Sequence, residues 1–333
     1  MQKVRQSKRQ VLILTRKKEK PMPRVIVKTV GLSREDWLEY RRKGLGGSDA
    51  STICGLNPYS SKLTLWADKT GRLPEKEDSE AMRTGRDLEQ YVASRFEEAT
   101  GKRVHRRNAM FAHDKYDYIT ANVDREVVGE NAGLECKTTS AYARSDFENG
   151  EIPLNYLCQC RHYMNVMGYE KMYLAVLVMG RAFYWFEIPY DKAEGDALLK
   201  MEIEFWNKYI VPDERPEADG SDSAASTIRT LRHTEVEESA CLLGDDTNFD
   251  RYLSLQEQKK AIEKALNEVK QNAILHLDGA ETGYTNKYNI SYKESSRTSV
   301  DTKTLKEKYP QVYADCIKTT KTRTFRLSER KDV

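Results

Sequence analysis

The chain has 333 residues, 32% of them charged and 39% apolar, and a net charge of +3. It contains no apolar run long enough for a membrane-spanning helix, which takes about 18 such residues or more. The only apolar run in its basic N-terminus, "VLIL", is too short for a secretory signal, so a cytoplasmic protein is expected. Six cysteines are scattered at Cys54, Cys136, Cys158, Cys160, Cys241 and Cys316 with no CxxC pair and no Cys/His ladder, which argues against a zinc or iron–sulfur site.

Charge is unevenly spread. Residues 1–28 carry ten Lys or Arg and one acid, a net of +9, so the remainder is mildly acidic. Residues 1–23 are therefore expected to be a disordered basic leader suited to phosphate. The first folded element follows it. "SREDWLEYRRKG" opens with Ser33 three residues before Asp36, a helix-capping signature, and ends at Gly44. In "LGGSDASTICGLNPYSS", Gly46 and Gly47 permit a sharp turn and Ser48 is expected to cap a short apolar helix. In "TGRDLEQYVASRFEEATG", Leu88, Val92 and Phe96 recur every four residues, which predicts a helix with Glu89 at the edge of its apolar stripe.

From Lys102 to Thr139 the pattern changes to strands: "RVHRRNAMFA", "YITANVDREVV" and "AGLECKTT", the last two joined by "GENAG". "PLNYLCQCRHYMNVMG" returns to helix, with Gln159 and Tyr163 on one face. "KMYLAVLVM" and "AFYWFEIPY" are two more strands, and a helix is expected from Lys192 to Ile210. The order of helix, three strands, helix, two strands, helix predicts an α/β core over 24–212. Pro, Gly, Ser and acidic residues mark 213–244 as a linker. Residues 245–333 form an appendage: a long helix with Leu255, Ile262, Leu266, Val269 and Ala273 in heptad-like positions, then strand, helix and strand.

The chemistry concentrates in "YITANVDREVVGENAGLECKTTS". Side chains alternate along a strand, so Glu135 and Lys137 share one face while Leu134 and Cys136 enter the core. Asp124, on the preceding strand, comes within cross-strand reach of Glu135. Two carboxylates this close repel unless a cation lies between them, and magnesium binds through one or two carboxylates beside a phosphate substrate. Lys137 would then orient or help deprotonate a water, or balance phosphate charge. Taken alone, the triplet also fits a solvated hairpin with an incidental ion pair. The apolar "ITANVD" argues against a plain outer face.

Together, "EDWLEYRRKGLGGSDAS", "GRDLEQYV", "ANVDREV", "LECKTTS" and "YLCQCRHYMNVMG" resemble the YqaJ-type viral recombinases, relatives of the lambda-phage exonuclease within the PD-(D/E)XK nuclease superfamily. The resemblance covers roughly 33–190 and implies a mixed central sheet flanked by helices. It implies Asp124 and Glu135 as ligands of Mg2+ (or Mn2+), with Glu89 and the Cys136 carbonyl assisting, and Lys137 as the catalytic lysine. It implies a pocket for a 5′ phosphate built from Arg41, Ser48 and Gln159, with Asn122 standing where relatives carry Ser. Asp49 of "GGSDA" is expected to hold its turn. The implied activity is metal-dependent degradation of linear double-stranded DNA, 5′ to 3′, releasing 5′-mononucleotides and leaving 3′ single strands for recombination in a phage or prophage setting. The implied partners are a RecT-type annealing protein and further copies of the chain in a trimeric ring. A PD-(D/E)XK endonuclease or resolvase, or an inactive DNA-binding module, are the alternative readings.

Overall fold

The computed structural model describes residues 23–75, 78–231, 246–320 and 324–328. The expected basic leader lies almost wholly outside these residues, as do 232–244 of the expected linker. The chain divides into two compact units, Met1–Thr234 and Glu235–Val333.

The first unit opens with strand β1 (Arg24–Lys28) and three helices, α1 (Arg34–Arg42), α2 (Gly47–Ile53) and α3 (Lys62–Lys69). Ser33 caps α1, its hydroxyl accepting from the Asp36 amide at 3.0 Å. Ser48 does not cap α2. The N-cap is Gly46, whose amide donates to Oδ2 of Asp49 at 2.9 Å. A carboxylate is the stronger acceptor and reaches back from the first turn, which leaves the Ser48 hydroxyl free for another partner.

Helix α4 (Glu80–Thr100) starts at the Ser79 cap and stops at Gly101, which takes the left-handed conformation that ends many helices. Its stripe of Val92, Ala93 and Phe96 is fully buried against Leu134, Tyr173 and Ala175. A side chain such as Phe96 contributes about 1.5–3 kcal/mol by leaving water.

Two stretches expected as continuous strands are each split between sheets. "RVHRRNAMFA" gives β2 (Val104–His105) and β3 (Ala109–Ala112), with Asn108 at a φ of 48° between them. "YITANVDREVV" gives β4 (Thr120–Ala121) and β5 (Arg125–Val127). Strands β1, β3 and β4 form a small antiparallel sheet. The main sheet has the order β2-β5-β6-β7-β8, adding β6 (Ala132–Thr139), β7 (Lys171–Val178) and β8 (Ala182–Pro189). Only β6 and β7 are parallel, joined through helix α5 (Leu154–Met167). Parallel neighbours need such a crossover. Helix α4 covers one face of β6 and α5 the other, so this is a mixed α/β sheet with helices on both faces.

Helix α6 (Lys192–Phe205) runs on through a wider π-helical turn, Trp206–Ile210, in agreement with the expected helix. The folded unit then continues past 212, where a linker was expected. Helix α7 (Asp222–Thr230) is capped by Ser221 and packs on α3, with Thr64 Oγ1 bonding Ser223 at 2.7 Å and Thr227 at 2.8 Å. Its Ser- and Ala-rich composition reads as a linker, yet the small side chains are what allow close approach and hydroxyl pairing.

The second unit holds helix α8 (Asp246–Leu277), a hairpin of β9 (Thr282–Tyr284) and β10 (Asn289–Ser291), and helices α9 (Thr302–Lys308) and α10 (Pro310–Cys316). Pro310 restarts a helix where only one was expected, being well suited to a first helical turn. The expected last strand is absent over 324–328. Leu255, Ile262, Leu266 and Val269 on α8 are exposed.

Candidate active site

Strand β6 carries the centre of the site. Leu134 and Cys136 pack toward α4, while Glu135 and Lys137 face α5, as strand alternation requires. Glu135 is buried (3% exposed). Its Oε1 accepts from Lys137 Nζ at 2.7 Å and from Gln159 Nε2 at 2.7 Å, and Lys137 Nζ also donates to Gln159 Oε1 at 2.9 Å. Gln159 thus bridges acid and amine, and its remaining N–H donates to the Tyr163 hydroxyl at 3.0 Å. The Tyr156 ring lies 5.4 Å from Lys137 Nζ.

Asp124 reaches the site in a way strand pairing alone does not provide. The β5–β6 ladder pairs Arg125 with Leu134 and Glu126 with Gly133, then stops. Beyond it, the Cys136 amide donates to Oδ2 of Asp124 at 2.9 Å. The N–H and C=O of a strand residue point to the same side, so the Cys136 carbonyl also faces the Asp124 side.

The electrostatics follow from this crowding. Burial raises the Asp124 carboxyl well above its ordinary value, and the nearby Glu135 and Glu89 charges raise it further, against the Cys136 amide and Lys137. Burial opposes the charge on Lys137, yet Glu135 and Asp124 hold the ammonium above the usual lysine value. Lys137 is therefore a cation here, suited to charge balance rather than to accepting a proton.

Glu89 takes a different position. Its Oε1 is clasped by Arg125 Nη1 and receives Arg106 Nη2 at 3.3 Å. Arg125 is buried (2% exposed), donates to the Asp124 carbonyl at 2.7 Å and to Gln90 at 3.1 Å. Glu89 thus lies near enough to act on Asp124 while its charge is met by two guanidinium groups. Among the described residues, no three His, Cys, Asp or Glu side chains converge as a metal cluster.

Arg41 and Ser48 form the second part. Arg41 Nη2 donates to Ser48 Oγ at 3.1 Å and its guanidinium lies 4.9 Å from the Trp37 ring centre. They adjoin the carboxylate site because Gly47 packs against α5. A Cβ there would sit 2.7 Å from the Tyr163 ring and 2.9 Å from Cγ of Gln159. Gln159 is spent inside the Glu135–Lys137 network, and Asn122 is exposed between β4 and β5. Sequence reasoning missed Arg125 and Tyr156. Arg125 had a signal, since its parity on the strand opposes that of Asp124 and sends it toward the helix bearing Glu89.

Fold and site together define an α/β protein with two carboxylates and a lysine gathered where one strand pairing ends. Residues 36–170 match the YqaJ-like viral recombinase domain. The chain is 42% identical over 312 residues to "Uncharacterized protein YqaJ" of Bacillus subtilis (strain 168), spanning 92% of this chain and 97% of that relative. It belongs to the YqaJ-like viral recombinase family. Among solved structures it is similar to an alkaline exonuclease (LHK-Exo) from Laribacter hongkongensis, at 16% identity and a TM-score of 0.47 over 54% of this chain and 94% of that one. It is also similar to a phage-related exonuclease from Haemophilus somnus 129PT, at 11% identity and a TM-score of 0.38 over 50% of this chain and 92% of that one. No helix among the described residues is long and apolar enough to cross a membrane.

Proposed function

We propose that this protein is a metal-dependent exonuclease of the PD-(D/E)XK type, acting on linear double-stranded DNA in phage-type recombination. The observation that carries the reading is the Asp124–Glu135–Lys137 arrangement. Two crowded carboxylates sit beside one ammonium, and Oε2 of Glu135 is buried without a partner. A buried carboxylate oxygen with no donor is costly, and a divalent cation satisfies it. Hard oxygen donors from two carboxylates, with the Cys136 carbonyl on the same side, suit Mg2+ or Mn2+. When bound, the ion supplies Lewis acidity and charge neutralisation at a phosphoryl group.

The chain's own residues supply the rest. Asp124 and Glu135 would hold the ion, and Glu89, its charge met by Arg125 and Arg106, shapes the field around Asp124. Lys137 offers an ammonium to phosphate, held in place by Gln159 and the Tyr156 ring. Arg41 and Ser48 present a planar fork of donors and a hydroxyl to a terminal phosphate. Gln159 and Asn122 are assigned to that pocket by the family resemblance alone, since both N–H groups of Gln159 are held by Glu135 and Tyr163. Cleavage from 5′ to 3′, 3′ single-stranded products, a RecT-type annealing partner and a ring of three chains complete the reading. These rest on the family resemblance.

The test is digestion of end-labelled linear duplex beside a closed circle, with Mg2+, Mn2+ or EDTA. Loss of label from the linear form alone, only with metal, is expected. Cutting of the circle would instead favour an endonuclease or resolvase, and binding without cutting an inactive module.

A further inference from the structure

An ion pair outside the proposed metal centre has no part in the function so far. Lys69, the last residue of α3, is buried with its side chain 2% exposed, and its Nζ lies 2.7 Å from Oδ2 of Asp49. The same ammonium donates to the backbone carbonyl of Arg41 at 2.8 Å. Oδ2 of Asp49 in turn accepts the Gly46 amide at 2.9 Å. One buried cation therefore joins the carbonyl end of α1 to the amide end of α2. Those are the two helix ends that carry Arg41 and Ser48, whose side chains meet at 3.1 Å.

The segment between them is already tightly held. Leu45 donates to Tyr118 O at 2.6 Å and accepts from the Thr120 amide at 2.8 Å. A Cβ on Gly44 would sit 2.8 Å from Tyr118 O. These contacts fix residues 44 and 45 but leave the orientation of each helix end to other contacts. A buried ion pair contributes little net stability, because desolvating both charges offsets their attraction. Its effect here is geometric: it fixes where the Arg41 fork and the Ser48 hydroxyl point relative to each other.

We infer that Lys69 and Asp49 are positioning residues that pre-organise Arg41 and Ser48 as a receptor for a terminal phosphate monoester, so that their removal lowers discrimination for phosphorylated ends rather than hydrolysis itself. The inference rests on the proposed nuclease reading and on the phosphate role of Arg41 and Ser48 within it.

The experiment compares full-length protein on linear duplexes that differ only in a 5′ phosphate or a 5′ hydroxyl. The ratio of kcat/KM for the two ends is read for wild type, for the double variant Lys69→Met/Asp49→Asn, and for Asp49→Asn alone. The double variant leaves no unpaired buried charge. The single variant keeps a side-chain oxygen for the Gly46 amide, and serves if the double variant does not fold by circular dichroism. The expected result is a fall of about tenfold or more in the wild-type preference, through KM for the phosphorylated end. The rate on the hydroxyl end and the affinity for Mn2+ by calorimetry should stay within about twofold. A folded variant that keeps the full preference overturns the inference alone. A wild-type ratio of one overturns the phosphate pocket, and the inference with it. Absence of any hydrolysis by wild type overturns the nuclease reading itself.

Discussion

The Cys136 amide donates to the Asp124 carboxylate at 2.9 Å, in the place where a partner strand's carbonyl would otherwise sit. That bond ends the β5–β6 ladder and holds Asp124 beside Glu135. It is a side-chain substitute for a rung of the sheet, and it brings together two carboxylates that repel.

The first prediction follows from that repulsion. Burial and the Glu135 and Glu89 charges raise the Asp124 carboxyl above its unfolded value near 3.9. Between the unfolded and folded values the native state binds more protons than the unfolded chain, so stability falls as pH rises through that window. Asp124→Asn removes the penalty while keeping an acceptor for Cys136. In EDTA at neutral pH the variant should melt higher than wild type, at about 2–4 °C per kcal/mol gained. Wild type should gain melting temperature from Mn2+, more at pH 8 than at pH 5, and the variant should not. Equal gains from Mn2+ in both proteins would falsify the role of Asp124 as a ligand.

Lys137 carries the second prediction. Its ammonium is bound to Glu135 and Gln159 and held charged. Lys137→Met should lower hydrolysis by at least about a hundredfold, the usual effect of removing one donor to a developing charge. Calorimetric affinity for Mn2+ should rise or stay the same, because the lysine competes with the ion for Glu135. A variant that loses both hydrolysis and Mn2+ affinity points instead to Lys137 as a support for Glu135.

The central strands and helices were legible because their patterns are regular. The four-residue recurrence of Val92 and Phe96 and the parity of Glu135 and Lys137 fix which face each side chain takes. The broken strands were not legible. Nothing in "YITANVDREVV" shows that pairing stops before Asp124, because the stop depends on a bond to Cys136, twelve residues away. Lys69 carries no signal either: a lysine at the end of a helix ordinarily faces water, and only the buried Asp49 explains its position. Helix α7 was hidden because small polar residues suit both a linker and a close helix contact. Glu89 was found as an acid at the edge of a stripe, whereas its clasp by Arg125 depends on packing between α4 and β5.

A glycine supplies the third prediction. Gly47→Ala adds a methyl 2.7 Å from the Tyr163 ring and 2.9 Å from Gln159 Cγ. Alanine is the better helix former, so the sign depends on space. Here overpacking should dominate and cost about 1–3 kcal/mol. Because the displaced group is Gln159, hydrolysis should fall as well. Gly85→Ala in α4 is the control, since its Cβ would meet only Thr138 at an ordinary 3.6 Å. It should stabilise by about 0.8–1 kcal/mol. Thermal melts of the two variants, side by side, should move in opposite directions.

The last prediction concerns a pair beneath the site. His162 is completely buried, with Nδ1 2.6 Å from Glu202 Oε1 and Nε2 2.7 Å from the Thr120 carbonyl. A carbonyl and a carboxylate both accept, so both ring nitrogens are donors and the ring is an imidazolium. Burial works against that charge, but Glu202 and the Thr120 carbonyl raise the His162 value above its ordinary one. The contribution to stability is therefore fully present below about 6.5, the unfolded value, and is lost as pH rises through the higher folded value. Denaturation of the Asp124→Asn protein, which removes the other titration, should show stability falling with pH above about 6.5. Adding His162→Gln should flatten that slope. Glu202→Ala alone should cost about 3–5 kcal/mol, because it strands a buried cation. The pair ties α5 and α6 to the backbone of Thr120, so its loss should also loosen β4 and the approach to Asp124. A pH-independent stability in the Asp124→Asn background would mean that the folded state holds no extra proton at this site, and that His162 is not an imidazolium.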